Sequence, residues 1–181
     1  MNGPNLINFA LFQVTWFSCV LGAAQGLLWP GAVAFAIMFA WQMQPTRKAY
    51  GDWGLVLVAA LLGLILDSLW IQLGILEYEA PLLLETIAPV WILLLWMSLA
   101  LTLNHSLGWL KERLALAAAL SALASPISYY AGQRLEALTI QVPFWEAALI
   151  LGGAWAACMP LLLFVAKNMR KPELNEVSEG P

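Results

Sequence analysis

Residues 53–76 read WGLVLVAALLGLILDSLWIQLGIL, a run of 24 in which Asp67 is the one charged side chain. A helix needs ~20 mostly apolar residues to cross a hydrocarbon core of ~30 Å, so this stretch is long enough to span a bilayer with a carboxylate inside it. Prolines, glycines and charges divide the rest of the chain into similar runs. Six spans are predicted: Leu6 to Ala24, Leu27 to Met43, Trp53 to Leu76, Leu82 to His105, Leu110 to Ala131 and Phe144 to Val165. The second is the shortest, because Trp29-Pro30-Gly31 delays its start, and a tight hairpin through Gly22 to Gly26 is an alternative for the first two.

The composition agrees. Of 181 residues 62% are apolar and 10% charged, with ten tryptophans, against roughly half and a quarter in a soluble domain. A chain this short has too little interior to hide so many apolar side chains, which excludes a water-soluble globule. The fold class expected is an all-α membrane protein, a six-transmembrane-helix bundle. Lys and Arg collect in cytoplasmic loops. Arg47 with Lys48, Lys111 with Arg113, and Lys167 with Arg170 and Lys171 all fall on one side of a six-span topology. Arg134 alone falls opposite, so both termini are expected in the cytoplasm. Residues 1–171 form one transmembrane domain and 172–181 a disordered acidic tail on the same grounds. The start MNGPNLINF has no basic region or cleavage site, and the first span is expected to be retained.

Asp67 is the most informative residue. An ionisable group at this depth costs ~2.5–3.5 kcal/mol on insertion scales, so it calls for a partner, a water-filled cavity or a ligand. Gly63, Asp67, Trp70 and Gly74 share one helical stripe. The neighbours expected at similar depth are Gln13 and Trp16 in the first span, Ser125, Ser128 and Tyr129 in the fifth, and Glu85 near the outer end of the fourth. These give the ligand-binding candidates Asp67, Trp70, Gln13, Trp16, Tyr129 and Glu85; a carboxylate satisfied by neighbouring helices is the competing explanation. Trp91, Ser98, Thr102 and His105 form a second stripe. His105 is the sole histidine and stands at a helix end, where terminal carbonyls or lipid headgroups are its expected contacts. Trp29, Trp53, Trp109 and Trp145 fit an interfacial belt, while Trp16, Trp70, Trp91, Trp96 and Trp155 lie deeper, in packing positions. Pro89, Pro126 and Pro160 are expected to kink or unwind their helices, Pro126 most usefully, beside serines and tyrosines.

Several chemistries are disfavoured. Cys19 and Cys158 lie on separate spans with one histidine in the chain, so no metal is expected. No cofactor is expected either, since no phosphate-cradling glycine loop is present. Asp67 and Ser68 are far along the membrane normal from His105, which speaks against a serine-histidine-aspartate set, and no catalytic residue is assigned. The net charge of −3 offers no basic stripe for nucleic acid. The partners expected are the bilayer, a small apolar or lipid-like ligand, and a membrane protein. The function favoured is non-enzymatic binding or transport of such a ligand around Asp67. A structural or assembly subunit holding a membrane partner, and a membrane enzyme acting on a lipid or isoprenoid-like substrate, are the alternatives.

The opening NxxxFQVTWFSCVLGAA, the segments GLILDSLW, PVWILLLW, TLNHSLGWL and ASPISYYAG together resemble a family of small bacterial inner-membrane proteins of unknown function, over roughly Asn5 to Ala166. That resemblance implies a multi-pass protein of the bacterial inner membrane. Six spans with Gly63, Leu64, Asp67 and Gly74 in the third also look, more distantly, like the S-components of energy-coupling-factor vitamin transporters and the cell-shape protein MreD. The first likeness implies an outward-facing ligand pocket and the second a bundle that holds partners. Where S-components carry small docking residues on the first span, this chain has Phe12, Trp16 and Phe17.

Overall fold

The computed structural model describes residues 3–80 and 85–169. The expected tail, 172–181, lies outside the described residues. Six α-helices account for most of it: α1 (Gly3–Ala23), α2 (Trp29–Gln42), α3 (Asp52–Gln72), α4 (Val90–Leu103), α5 (Leu114–Arg134) and α6 (Phe144–Asn168). A short 3-10 turn over Gly108–Glu112 joins α4 to α5. Two three-residue strands, β1 (Leu76–Tyr78) and β2 (Leu138–Ile140), pair antiparallel with Glu77 opposite Thr139. Four helices, α1, α3, α5 and α6, are long and apolar enough to cross a membrane. At 14 residues each, α2 and α4 are shorter.

The burial pattern is inverted relative to a soluble protein. Leu57, Leu61, Ile65 and Leu69 follow one another at four-residue spacing on the outer face of α3, each exposed. Asn8, Thr15, Gln42, Asp52, Asp67, Ser98 and Thr102 are buried. An apolar exterior removes the hydrophobic drive between helices, so contact relies on small residues and internal hydrogen bonds. Gly31 of α2 meets Cys19 of α1 so closely that a Cβ would come within 2.6 Å of its Sγ. The α1–α2 connection is the tight hairpin, closed by Leu27 N–H donating to Gly22 O at 2.8 Å.

Pro126 and Pro160 lie inside continuous helices, so the unwinding expected around Pro126 does not occur. The carbonyl that Pro126 deprives of its helical donor is that of Ala122. It lies against Gly152 of α6, where a Cβ would sit 2.8 Å from the oxygen. Ser121 Oγ and Ser125 Oγ donate across to Trp155 O and Leu151 O at 2.8 and 3.4 Å. The α5–α6 seam thus absorbs the proline by packing. Pro89 precedes α4 as its cap instead of interrupting it.

The predicted ends need correction at three places, one of them the fifth span, whose helix starts at Leu114 while Leu110 belongs to the 3-10 turn. The third span stops at Gln72, and Leu76 belongs to β1; the fourth helix starts at Val90, not Leu82, because residues 85–89 are non-helical and end in Pro89. The β1–β2 pair extends through Glu79 N–H to Ala137 O and Gln141 N–H to Ile75 O, at 3.0 and 2.9 Å. It ties the end of α3 to the α5–α6 connection and carries Tyr78 inward.

Candidate functional site

Asp67 stands on the inner face of α3, fully buried. One turn earlier, Gly63 leaves room for an indole: a Cβ there would lie 2.2 Å from Trp96 Cδ1. Trp96 of α4 fills that space, and its Nε1–H donates to Asp67 Oδ2 at 2.7 Å. Gly63 and Asp67 are therefore one device, a gap and an acceptor four residues apart that seat a single tryptophan. Oδ1 accepts from two phenols, a short bond from Tyr78 and one of 3.1 Å from Tyr129. Burial, and then the adjacent carboxylate, hold the Tyr78 phenol well above the usual tyrosine range, so it remains a donor. The carboxylate is met by three donors from β1, α4 and α5, and a buried polar group without such partners would be costly.

Aromatic rings surround this centre. Trp96 stacks on Trp155 of α6 with centroids 4.6 Å apart and planes at 15°. Trp91 meets Tyr78 edge-on at 5.7 Å and donates from Nε1 to Glu79 O at 3.0 Å. Beside the cluster lies a cavity of about 590 Å³ between α1, α4, α5 and α6, in the size range of small-molecule sites. Helices α1 and α5 barely touch. Trp16 Nε1–H donates to Ser128 Oγ at 3.2 Å between them. Phe17 and Ile127, 51% and 67% exposed, line the same cavity and set its rim on the exposed apolar surface.

Of the candidates named from the sequence, Asp67, Gln13, Trp16 and Tyr129 line this cavity together. Trp70 is buried outside the lining, and Glu85 is exposed away from it. Tyr78, Trp91, Trp96 and Trp155 were not among the candidates. The stripe that paired Gly63 with Asp67 carried a signal for Trp96, since a glycine one turn from a buried acceptor marks where a large donor enters. Apart from Asp67 and Tyr129, no ionisable side chain lines the cavity among the described residues.

A second polar cluster holds the other end of the bundle. Asp52, one residue before the predicted start of the third span, is the buried first residue of α3. Its Oδ2 accepts from Ala49 N–H at 2.7 Å and from His105 Nε2 at 2.9 Å, and its Oδ1 from Asn104 at 2.7 Å. His105 thus meets a carboxylate rather than terminal carbonyls. Its tautomer follows from a chain of amides. Ser106 donates to Asn8 Oδ1, Asn8 Nδ2 to Gln42 Oε1, and Gln42 Nε2 faces His105 Nδ1 at 3.3 Å. Nδ1 must accept, which leaves the proton on Nε2 for Asp52. The network ties α1, α2, α3 and α4 together and opens on no group in the Asp67 cavity.

Among the described residues no three His, Cys, Asp or Glu side chains converge on a point. No curated protein and no solved structure matches the chain. Residues 5–161 match the model of the family described as Protein of unknown function (DUF2878), and the chain belongs to that family.

Proposed function

We propose that this chain is a non-enzymatic, multi-pass protein of the bacterial inner membrane that holds a small apolar or lipid-like molecule in the cavity beside Asp67. The observation that carries the proposal is the lateral opening: a cavity of about 590 Å³ whose rim, Phe17 and Ile127, faces the surroundings that the apolar exterior requires. A ligand soluble in acyl chains reaches such a site from within the bilayer. One carboxylate with no histidine, lysine or second acid in the lining among the described residues supports binding over acid-base turnover.

Six crossings within one domain, with both termini on the cytoplasmic side, complete the proposal. Helices α2 and α4 cover only ~21 Å each by helical rise, but buried non-helical neighbours lengthen α4, Ala88 and Pro89 before it and Ser106 after it. The ends carrying Arg47, Lys111 and Lys167 meet on one side, where Gly51 packs on Met169 and Lys167 bonds Glu112 at 2.7 Å.

The test is to fill the cavity. Ala124 lines it, whereas neighbouring Leu123 is 68% exposed and does not. Solvent extraction and mass spectrometry of purified protein should find a bound small molecule with wild type and with Leu123→Phe, and lose it with Ala124→Phe. Equal recovery from all three would overturn the proposal.

A further inference from the structure

The cavity beside Asp67 is unevenly lined. Asp67 is the only acid in its lining, and no Lys, Arg or His lines it among the described residues. The groups that reach the carboxylate, Tyr78, Tyr129 and Trp96, are neutral donors. Carboxylates inside membranes are ordinarily matched by a basic side chain or by water. Here no basic side chain lines the cavity among the described residues. A bare metal ion is a poor candidate, because such ions need several converging oxygens and this site turns hydrogen-bond donors inward.

What stands between Asp67 and the open cavity is aromatic. Trp96 and Trp155 form a stacked pair, and Tyr129 and Trp16 line the same space. Ring faces attract cations, indoles most strongly, and the attraction grows when water is excluded. Asp67 lines the cavity with no exposed surface of its own and both oxygens engaged by Trp96, Tyr78 and Tyr129, so it acts on a ligand through its field rather than through direct contact. A primary ammonium would have to exchange its hydrogen bonds to water for those of neutral polar side chains of the lining such as Gln13, Ser121, Ser125 and Ser128. A quaternary ammonium has none to lose.

We propose that the ligand of this cavity is a cationic amphiphile, an alkylated ammonium head on an apolar tail, with the head against Trp155, Tyr129 and Trp16 and Asp67 supplying the opposite charge behind them. This rests on the cavity being a ligand site. The tail leaves through the opening beside Phe17 and Ile127. An anionic head would meet Asp67 unfavourably, and a neutral head would gain neither the ring faces nor the field.

The experiment measures binding of three probes with one tail, dodecyltrimethylammonium, dodecanol and dodecanoate, to the full-length chain in an uncharged sugar detergent. Isothermal calorimetry should rank the ammonium about tenfold or more tighter than the alcohol, with the carboxylate weakest. That ranking should flatten in Asp67→Asn. Trp155→Leu, at a residue that makes no hydrogen bond to Asp67 itself, should also flatten it, and covers the case in which Asp67→Asn fails to fold. Equal affinity for the three probes, with binding still blocked by Ala124→Phe, would overturn the cationic class and leave the cavity reading intact. No binding of any probe would overturn both.

Discussion

Replacing Gly63 by alanine adds one methyl group at the point where the candidate site is assembled. That Cβ would lie 2.2, 2.3 and 2.6 Å from Trp96 Cδ1, Cγ and Nε1. Ordinary contact begins near 3.4 Å, so the indole must retreat by about 1.2 Å. It cannot do so freely. Its Nε1–H is held at 2.7 Å by Asp67, and its other face is stacked on Trp155. Overpacking of this kind costs ~1–3 kcal/mol, and losing a hydrogen bond to a buried carboxylate adds ~1.5–3 kcal/mol. Alanine returns ~1 kcal/mol through helix propensity, leaving a net destabilisation of ~1.5–5 kcal/mol. Gly153 in α6 is the internal control, because its added Cβ would meet nothing within 4 Å. Thermal unfolding in one detergent should show Gly63→Ala well below wild type and Gly153→Ala level with it or above. Two variants of equal stability would refute the role given to the Gly63 gap.

Trp96→Phe keeps a ring in that gap but removes the donor to Asp67 Oδ2. A loss of ~1–3 kcal/mol is expected in the same unfolding assay, and Trp109→Phe, on an exposed tryptophan, should change little. Asp52→Ala strips the acceptor from Ala49, Asn104 and His105; a destabilisation of ~3 kcal/mol or more should appear, with faster amide exchange where α1 to α4 meet. Gly51→Ala forces φ of 90° on an alanine and drives its Cβ to 2.6 Å from Met169, so it should cost at least ~1–2 kcal/mol. For topology, single cysteines at Lys48 and Lys111 should label from the cytoplasmic side, and cysteines at Glu79 and Glu136 from the opposite side, with an impermeant maleimide in oriented vesicles. Shared sidedness of all four would contradict the six-span arrangement.

The helices were legible because lipid solvent writes a coarse signal: an apolar run of about twenty residues needs no knowledge of its partners. What that signal misses is any boundary set by a local event inside apolar sequence. Leu76 and Leu138 belong to strands of three residues, too short for alternation to register against the surrounding leucines. The start of α4 at Val90 is set by Pro89, while composition alone carries the apolar run back to Leu82. Asp67 was legible from its cost. Of its partners, Tyr129 was among the neighbours expected at its depth, while Trp96, 29 residues away in sequence, was placed with the packing aromatics and Tyr78 was not singled out. His105 was read at a helix end and Asp52, 53 residues away, lay just outside the predicted third span; their pairing depends on where α3 and α4 come side by side.

The central claim is that the space beside Asp67 is occupied by one molecule drawn from the bilayer. Native mass spectrometry of the chain released from nanodiscs tests it directly. Wild type and Leu123→Phe should retain one bound small molecule per chain as detergent and lipid are stripped away, and Ala124→Phe should fly bare. A bare wild-type chain, or a bound mass that Ala124→Phe keeps in full, would contradict the account.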